Sequence, residues 1–313
     1  MQLLENILQI LIAGLCIGCL YGLMCMGLSM IFGVMRIINF AQGEFLMLGM
    51  YATFYASSIM ALQAIFGPFT PFVCAVVISP ILFLVGSAIY QLLLADASER
   101  RGLGDDVRHS AQLIITLGVS LVIQNAGLIA FGTIPKVAKT TLAAEAWVVS
   151  FFNEGVMLFI NQARVWSALL AIVIAGAVVI VMNKTVLGRS VRAAADNPDA
   201  ARYCGVPVRL VYSITFGLGA AMTAASGGLL SAYFPFQPYI GSEFVIFMYA
   251  GVVLGGMGTT VGAFLGGLVI GLVQQMSTLV LPQQLQNATI FIVFLLVLLF
   301  RPNGLFGRNV ERA

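Results

Sequence analysis

The sequence predicts an all-α, polytopic integral membrane protein whose helices form one bundle, and two observations support this. First, 60% of the 313 residues are hydrophobic and only 9% are charged, whereas a soluble domain carries about 25% charged residues. Second, apolar runs of roughly 20 residues, enough to cross a hydrocarbon core about 30 Å thick, recur along the whole chain. Residues 1–313 are therefore predicted to form a single transmembrane domain without a separate soluble domain.

Apolar runs separated by polar breaks predict the individual membrane spans. They lie near residues 7–33, 43–66, 70–94, 111–131, 165–183, 210–232, 243–257, 261–281 and 287–300. The glycine-rich segment 255–260 fits either a cytosolic turn or a break between two half-helices inside the membrane. The predicted count is therefore about eight or nine spans.

Basic residues are distributed unequally between the two predicted sides of the membrane. With the N-terminus outside, the inner side receives 12 of the 15 basic residues, which are Arg36, Arg100, Arg101, Arg108, Lys184, Arg189, Arg192, Arg202, Arg209, Arg301, Arg308 and Arg312. The outer side has only Lys136, Lys139 and Arg164. Because cytosolic loops are rich in Lys and Arg, the sequence predicts that the N-terminus lies outside and the C-terminus inside.

The longest predicted outer stretch, residues 132–163, contains Trp147, Phe151 and Phe152 among polar residues. Aromatic side chains of this kind are enriched where a membrane meets water. The stretch is therefore predicted to be either a loop with an interfacial helix or a plain connecting loop.

Two short segments, residues 39–45 and 238–244, resemble each other within the chain. Each ends in a small residue followed by Glu and Phe, and each Glu opens an apolar span. The predicted topology turns Glu44 toward the inside and Glu243 toward the outside. This relation predicts an inverted repeat with broken helices, which in transporters lie along the substrate path near the membrane midplane.

Acidic residues at the mouth of a span are costly in lipid and usually face a cavity or a partner. We therefore interpret Glu44 and Glu243 as candidates for the translocation path. The alternative is that each is a first-turn carboxylate that the helix dipole stabilises. With their polar and aromatic neighbours, the predicted path residues are Asn39, Gln42, Glu44, Tyr239 and Glu243.

The sequence lacks the motifs of an enzyme or a metal site. There is no Walker phosphate-binding loop, so the chain is not predicted to bind ATP in that manner. Cys16 and Cys19 lie in an apolar span without a second pair and are interpreted as packing residues. The only histidine, His109, is interpreted as a solvated loop residue, and Ser226 has no predicted base nearby.

Several predicted spans carry small residues four positions apart, a spacing that lets helix backbones approach closely in lipid. Gly14, Gly18 and Gly22 have it in the first span, and Gly267 and Gly271 have it in a later one. These faces are predicted to pack against other helices.

The basic segment 184–209 is predicted to be a cytosolic loop with a short helix at residues 197–205. Asn197 is a preferred N-cap, Pro198 suits the first helical position, Asp199 complements the helix dipole, and Gly205 suits the position after the helix. Ala200, Ala201, Tyr203 and Cys204 give a small and mildly apolar surface, with Arg202 for polar contact. A helix with its own start and stop between two spans indicates a docking site for a partner, and the alternative is a solvated loop helix.

This segment resembles the coupling loop of ABC importer permeases, and the wider chain resembles the permeases of branched-chain amino acid importers of the LivH type. The likeness covers nearly the whole chain and is carried by Tyr21-Gly22-Leu23, Ile31-Phe32-Gly33-Val34-Met35, Ile38-Asn39-Phe40-Ala41-Gln42-Gly43-Glu44, Gly188-Arg189 through Gly205, Pro238-Tyr239-Ile240-Gly241, Val253-Leu254-Gly255-Gly256-Met257-Gly258 and Arg301-Pro302-Asn303-Gly304-Leu305-Phe306-Gly307. Asp199 replaces the Glu of the coupling motif, and Ile214-Thr215-Phe216-Gly217 stands in place of its hydrophobic-x-Leu-Pro ending. Gln42 stands where the family carries His.

The resemblance implies a permease subunit of an ABC importer in the bacterial inner membrane. Its implied partners are a second homologous permease, two cytosolic ATPases that bind the ATP, and a periplasmic solute-binding protein, while this chain is neither an enzyme nor the holder of a cofactor. The implied substrates are branched-chain or other hydrophobic amino acids, with urea, short amides and aromatic acids as alternatives. The rival interpretation is an ATP-independent secondary transporter or channel, which has no need of the helix at 197–205.

Overall fold

A computed structural model describes residues 2–99, 105–151, 156–282, 285–301 and 304–306. Its helices are α1 (Gln2–Met35), α2 (Gln42–Ser57), α3 (Met60–Phe66), α4 (Thr70–Ile89), α5 (Ala95–Glu99), α6 (Asp105–Phe131), α7 (Thr141–Ala144), α8 (Gln162–Lys184), α9 (Val186–Asp196), α10 (Pro198–Tyr203), α11 (Val208–Leu230), α12 (Ile240–Gly255), α13 (Thr260–Ser277) and α14 (Gln286–Phe300). A 3-10 turn (Gly67–Phe69) precedes α4, and a π-helical turn (Tyr90–Leu94) follows it. Arg100, Arg101, Phe152, Pro302, Asn303, Gly307, Arg308 and Arg312, which enter the predictions above, lie outside the described residues.

By length and composition, six helical stretches in the described chain are long and apolar enough to cross a membrane. They are Glu5–Met35, Met60–Ala97, His109–Phe131, Gln162–Lys184, Val208–Leu230 and Thr260–Ser277. Two shorter apolar helices, α12 and α14, occupy the remaining predicted spans at residues 243–257 and 287–300. A polytopic helical membrane protein is thus confirmed, while the count of eight or nine spans stays a prediction.

The predicted span at residues 43–66 is wrong as a single helix. α2 ends at Ser57, and the backbone turns at Ser58 before α3 begins at Met60. The 16 residues of α2 cover about 24 Å at 1.5 Å per residue, which is short of the ~30 Å hydrocarbon core. α2 is therefore a half-helix.

The glycine faces predicted from the sequence form a seam between α1 and α13, which run antiparallel. A Cβ atom added at Gly18 would lie 2.7 Å from the carbonyl oxygen of Leu268, and one at Gly22 would lie 2.7 Å from that of Phe264. From the other side, Gly267 lies against the backbone of Gly22. Only glycine allows helix backbones to approach this closely, so the packing that the small-residue spacing predicts is present.

α2 and α12 begin beside each other in the centre of the bundle. The backbones of Gly43 and Gly241 touch, so that neither position has room for a side chain. The two helices then run in opposite directions. α2 runs parallel to α11 and α12 runs parallel to α1, whereas α11 and α1 are antiparallel to each other. Arg36, in the left-handed region at φ +54°, ends α1 and starts the non-helical segment 36–41 that leads into α2.

The glycine-rich segment after α12 is a tight turn between two antiparallel helices. Gly255 and Gly262 pack backbone to backbone on either side of it, and Gly256 and Gly258 have positive φ values of +95° and +86°. The segment is therefore a turn, while its predicted position on the cytosolic side, rather than inside the membrane, stays a prediction.

The outer stretch is neither of the predicted forms, because it contains a β-hairpin. Strand β1 (Ala146–Phe151) pairs antiparallel with β2 (Val156–Asn161), with Trp147 opposite Ile160 and Val149 opposite Leu158. Aromatic and β-branched residues favour this pleated pairing over an interfacial helix. The fold is therefore mostly helical, and the all-α prediction is corrected at this point.

Candidate functional site

Helix α10 forms where its capping residues predict it. The side-chain oxygen Oδ1 of Asn197 accepts hydrogen bonds from the backbone N–H groups of Asp199 at 3.1 Å and of Ala200 at 3.0 Å. Pro198 occupies the first turn, where a missing N–H costs nothing. The helix start is thus fixed by local chemistry alone.

The end of α10 is closed by a Schellman motif. Gly205 adopts φ +81°, its N–H donates to the carbonyl of Arg202 at 3.0 Å, and the N–H of Val206 donates to the carbonyl of Ala201 at 2.9 Å. These are the two hydrogen bonds by which this motif satisfies the last helical carbonyls. With both ends capped, α10 is a self-contained unit of fewer than two turns.

The predicted contact surface of α10 divides into an inner and an outer side. Ala201 is only 4% exposed and packs into the protein, whereas Tyr203 is 92% exposed. Ala200 and Cys204 are also exposed. The predicted apolar surface therefore keeps three of its four members, since Ala201 seats the helix instead.

A cavity of about 270 Å³ lies beside α10 and joins it to the end of α1. Its polar lining includes Arg36, His109, Gln112, Asp196, Asn197, Asp199 and Arg202. The carboxylate of Asp199 pairs with the guanidinium of Arg202 at 3.2 Å. α10 thus adjoins the segment after α1 that leads to α2.

Asn39 and Gln42, two of the predicted path residues, form a buried hydrogen-bond network with exposures of 0%. The Nδ2 of Asn39 donates to Oε1 of Gln42 at 3.0 Å, and Nε2 of Gln42 donates to the carbonyl of Gly219 at 2.9 Å and to Oγ1 of Thr223. Both amides are satisfied by protein atoms, so they fasten the start of α2 to α11. Their part in the path stays a prediction.

Glu44 supplies the carboxyl group of this buried cluster, with 1% exposure. Its Oε1 accepts a hydrogen bond from Oγ of Ser120 at 3.1 Å, while Oε2 is buried and has no hydrogen-bond partner among the described residues. The backbone of Gly241 at the start of α12 lies directly against the carboxyl group. Glu44 therefore lies where the two half-helices meet.

Tyr239 and Glu243 do not join this cluster. Tyr239 is 45% exposed, and Glu243 is exposed and lines a different cavity together with Arg164. The structure thus brings together Asn39, Gln42 and Glu44 and places the other two predicted path residues apart from them.

Helix α6 carries a polar stripe that was not predicted from the sequence, formed by Gln112, Thr116, Ser120 and Gln124 at intervals of four residues. The hydroxyl of Thr116 donates to the carbonyl of Ile38 at 3.2 Å, and Nε2 of Gln124 donates to Oγ of Ser242 at 2.8 Å. Ser120 bonds to Glu44 between them. The signal was present, because polar residues recurring every fourth position in an apolar helix share one face.

Comparisons with known proteins agree with this architecture. The family described as branched-chain amino acid transport system permease component matches residues 10–300. The high-affinity branched-chain amino acid transport system permease protein LivH of Salmonella typhimurium is 31% identical over 97% of this chain and 97% of its own length. BraD of Pseudomonas aeruginosa, described in the same words, is 29% identical over 97% of each chain.

A more distant relative, the probable branched-chain amino acid transport permease protein LivH of Methanocaldococcus jannaschii, is 24% identical over 91% of this chain and 88% of its own. No solved structure matches the chain significantly. The chain therefore belongs to the branched-chain amino acid transport permease family, as a multi-pass permease subunit of an ABC importer in the bacterial inner membrane.

Proposed function

We propose that this permease forms half of the translocation pathway of an importer for branched-chain or other hydrophobic amino acids. Its proposed partners are a second homologous permease, two cytosolic ATPases and a periplasmic solute-binding protein, and the ATPases bind the ATP. The names of the similar permeases support the substrate class. Urea, short amides and aromatic acids are the alternative substrates of the same assembly.

The outward face of α10 is the observation that carries this proposal. An aromatic ring that is 92% exposed at Tyr203, on a helix with both ends capped, is a surface built for contact. Aromatic residues of this kind are enriched at protein interfaces. α10 is therefore the proposed coupling helix, with Asn197, Pro198, Asp199, Ala200, Ala201, Arg202, Tyr203 and Gly205 as its residues.

The charge distribution supports the orientation that such coupling requires. Arg36, Arg202 and Arg209 lie at the α10 end of the bundle, where Arg209 pairs with Asp96 at 3.5 Å. Lys136 lies at the other end, where its Nζ bonds to the hydroxyl of Tyr55 at 2.7 Å. The α10 end is the proposed cytosolic side.

The proposed coupling acts through rigid contacts. When ATP draws the two ATPases together, they displace α10, which is linked to α9 through Asn197 and to α11 through residues 204–207, and which adjoins the segment after α1. α11 holds Gln42 through Gly219 and Thr223, so its motion reaches the point where α2 and α12 meet. Glu44 lies at that point, so it is the proposed path residue that this motion of α11 would affect most directly.

The test substitutes an exposed residue of α10 that the fold does not need. Ala200→Arg places a long cation on the proposed docking surface, and Ala144→Arg, an exposed alanine of α7 at the opposite end of the bundle, is the matched control. A third variant, Gly205→Pro, removes the N–H that closes α10 and imposes φ near −65° in place of +81°. Substrate-stimulated ATP hydrolysis and L-leucine uptake are measured together in proteoliposomes.

We expect Ala200→Arg and Gly205→Pro to insert normally but to separate ATP hydrolysis from uptake, with uptake reduced about tenfold or more. Ala144→Arg should behave as the wild type. Unchanged coupling in both α10 variants would refute the docking role of α10. Uptake that continues without ATPase subunits would favour an ATP-independent transporter instead.

A further inference from the structure

A second cavity, of about 330 Å³, opens at the end of the bundle opposite α10. It lies among α1, α8, α12, α13, α14 and the segment after α11, and its polar lining consists of Arg164, Glu243, Gln274, Gln275, Gln286 and Asn287. Its volume falls within the range of ~300–1,000 Å³ found for small-molecule sites. The cavity adjoins the first turn of α12 at Glu243 and Phe244.

Two opposite charges line this cavity without neutralising each other. Arg164 in the first turn of α8 and Glu243 in the first turn of α12 form no ion pair with any residue that the structure describes. The guanidinium of Arg164 stacks over the ring of Tyr233 at 5.7 Å. Because unpaired charges in a membrane protein are costly unless they face water, a partner or a ligand, this pair indicates a functional surface.

The opposite wall of the cavity is aromatic. The rings of Phe234 and Tyr21 lie 5.8 Å and 5.7 Å from that of Phe244, and Phe247 adds a fourth ring 5.7 Å from Phe244. The hydroxyl of Tyr233 is buried and has no hydrogen-bond partner within the described residues. The cavity therefore combines an apolar wall, an unused hydroxyl and a separated pair of charges.

We propose that this cavity binds a zwitterionic solute with an apolar side chain on its way into the translocation path. The guanidinium of Arg164 would bind the carboxylate of the solute, the carboxylate of Glu243 would bind its ammonium group, and the aromatic wall would hold its side chain. This inference rests on the proposed function and names the site at which the amino acid enters.

The chemistry distinguishes this ligand from the alternative substrates. An aromatic acid satisfies Arg164 and leaves Glu243 unpaired, while urea or a short amide neutralises neither charge. A solute with both charges on one carbon is the one that pairs with both Arg164 and Glu243, and a ligand that leaves either of them unpaired forgoes a charge-assisted hydrogen bond.

The test uses the intact transporter complex in nanodiscs, with a cysteine at the exposed rim of the cavity as reporter. Asn287→Cys is labelled with a maleimide, and peptide mass spectrometry quantifies the label at residue 287 separately from the native cysteines. L-leucine is compared with leucinamide, which lacks the carboxylate, and with 4-methylpentanoate, which lacks the ammonium group. The reporter is combined with Arg164→Gln and Glu243→Gln, and with Lys139→Gln and Glu145→Gln as controls that remove the same charges from exposed positions outside the cavity.

We expect L-leucine to slow labelling at residue 287 and both single-charge analogues to protect less. Arg164→Gln should raise the half-protecting leucine concentration about tenfold and abolish the preference for leucine over leucinamide. Glu243→Gln should raise that concentration by the same factor and abolish the preference for leucine over 4-methylpentanoate. The two control variants should protect like the wild type.

Leucine import by the same complex reconstituted into proteoliposomes, measured in parallel, reports on the proposed function independently. If the complex imports leucine but leucine does not protect residue 287, the site proposal is overturned while the proposed function stands. Equal protection in Arg164→Gln, Glu243→Gln and the controls would overturn it too.

Discussion

α1 and α6 are held in the bundle by different kinds of contact. α1 meets α13 along glycines, where backbone atoms touch directly. The middle of α6 is fastened by side-chain hydrogen bonds, from Thr116 to the segment before α2, from Ser120 to the start of α2 and from Gln124 to the start of α12. Gly118 of α6 has open space where Gly18 of α1 has a neighbouring carbonyl.

This difference between the two kinds of contact indicates which helices of the permease can move relative to each other. A backbone seam has one register, because a shift brings side chains into the glycine positions. Hydrogen bonds between side-chain tips can be exchanged, since water or a neighbouring group can replace each partner. We therefore expect α1 and α13 to move as one body and α6 to shift against the point where α2 and α12 meet.

The outer face of α6 strengthens the contrast. Ile114, Val122 and Ile129 are 67%, 68% and 88% exposed. Exposed apolar side chains of this kind are favourable in contact with lipid or with another transmembrane helix. α6 thus has one polar face toward the candidate path and one apolar face away from it.

The largest expected effect comes from breaking the glycine seam. In Gly18→Leu, the Cβ atom would lie 2.7 Å from the carbonyl oxygen of Leu268, so two backbones must separate, and we expect a loss of at least about 3 kcal/mol of stability. A lower midpoint of thermal aggregation of the detergent-solubilised protein reports this loss. Gly118→Leu on α6 is the matched control, since nothing lies within 4 Å of the added atom, and it should leave the midpoint of aggregation nearly unchanged.

Equal losses for the two glycine variants would show that α6 is packed as firmly as α1. A Gly118→Leu protein that is stable alone but fails to assemble with its partner permease would place α6 at the subunit interface. Either result would sharpen the assignment of α6.

An intermediate effect is expected at Glu44, where α6 meets the candidate path. Glu44→Ala removes the acceptor for Ser120 at the point where the half-helices meet. Leaving a buried polar group without its hydrogen-bond partner costs about 1–3 kcal/mol, so we expect uptake to fall about tenfold or more while assembly is retained. Co-purification of partner subunits and leucine uptake are measured on the same preparation.

Glu44→Gln, which keeps an acceptor oxygen for Ser120, separates the charge from the hydrogen bond. Recovery of uptake in this variant would assign the effect to the hydrogen bond. Normal uptake by Glu44→Ala would instead leave the residue as a first-turn carboxylate with a structural role.

The smallest expected effect comes from releasing α6 at one contact. Gln124→Ala removes the bond to Ser242, and single side-chain hydrogen bonds between membrane helices average about 0.6 kcal/mol. The uptake rate should therefore change by about threefold or less. A loss of uptake as large as that of Glu44→Ala would mean that the hydrogen bond between Gln124 and Ser242 cannot be replaced by water or a neighbouring group.

Local signals in the sequence predicted the parts of the structure that depend on local chemistry. The caps of α10 were predicted at Asn197 and Gly205 because each acts on backbone groups within a few residues. The glycine spacing of α1 predicted a close-packed face, but the spacing alone does not show that α13 is the helix that packs against it. The resemblance to a permease family supplied the function, and the comparisons confirmed it.

Features that depend on distant contacts or on short turns were missed. The break at Ser58 leaves no strong mark on hydropathy, since its hydroxyl bonds back to the carbonyl of Tyr55 and the turn needs no charged residue. The hairpin consists of two six-residue strands, too short to distinguish from an interfacial helix by apolar pattern. The role of the polar stripe of α6 could not be predicted from the sequence, because its hydrogen-bond partners belong to α2, α12 and the segment before α2.

The meeting of α2 and α12 at their first turns has an electrical consequence. Each helix carries a macrodipole with its positive end at the N-terminus, and the two helices run away from each other from the contact of Gly43 with Gly241. The membrane voltage therefore acts on the two backbone dipoles in opposite directions, and the work it does on one offsets the work it does on the other. A transport cycle that moves this pair together therefore draws little energy from the membrane potential through the backbone dipoles of α2 and α12.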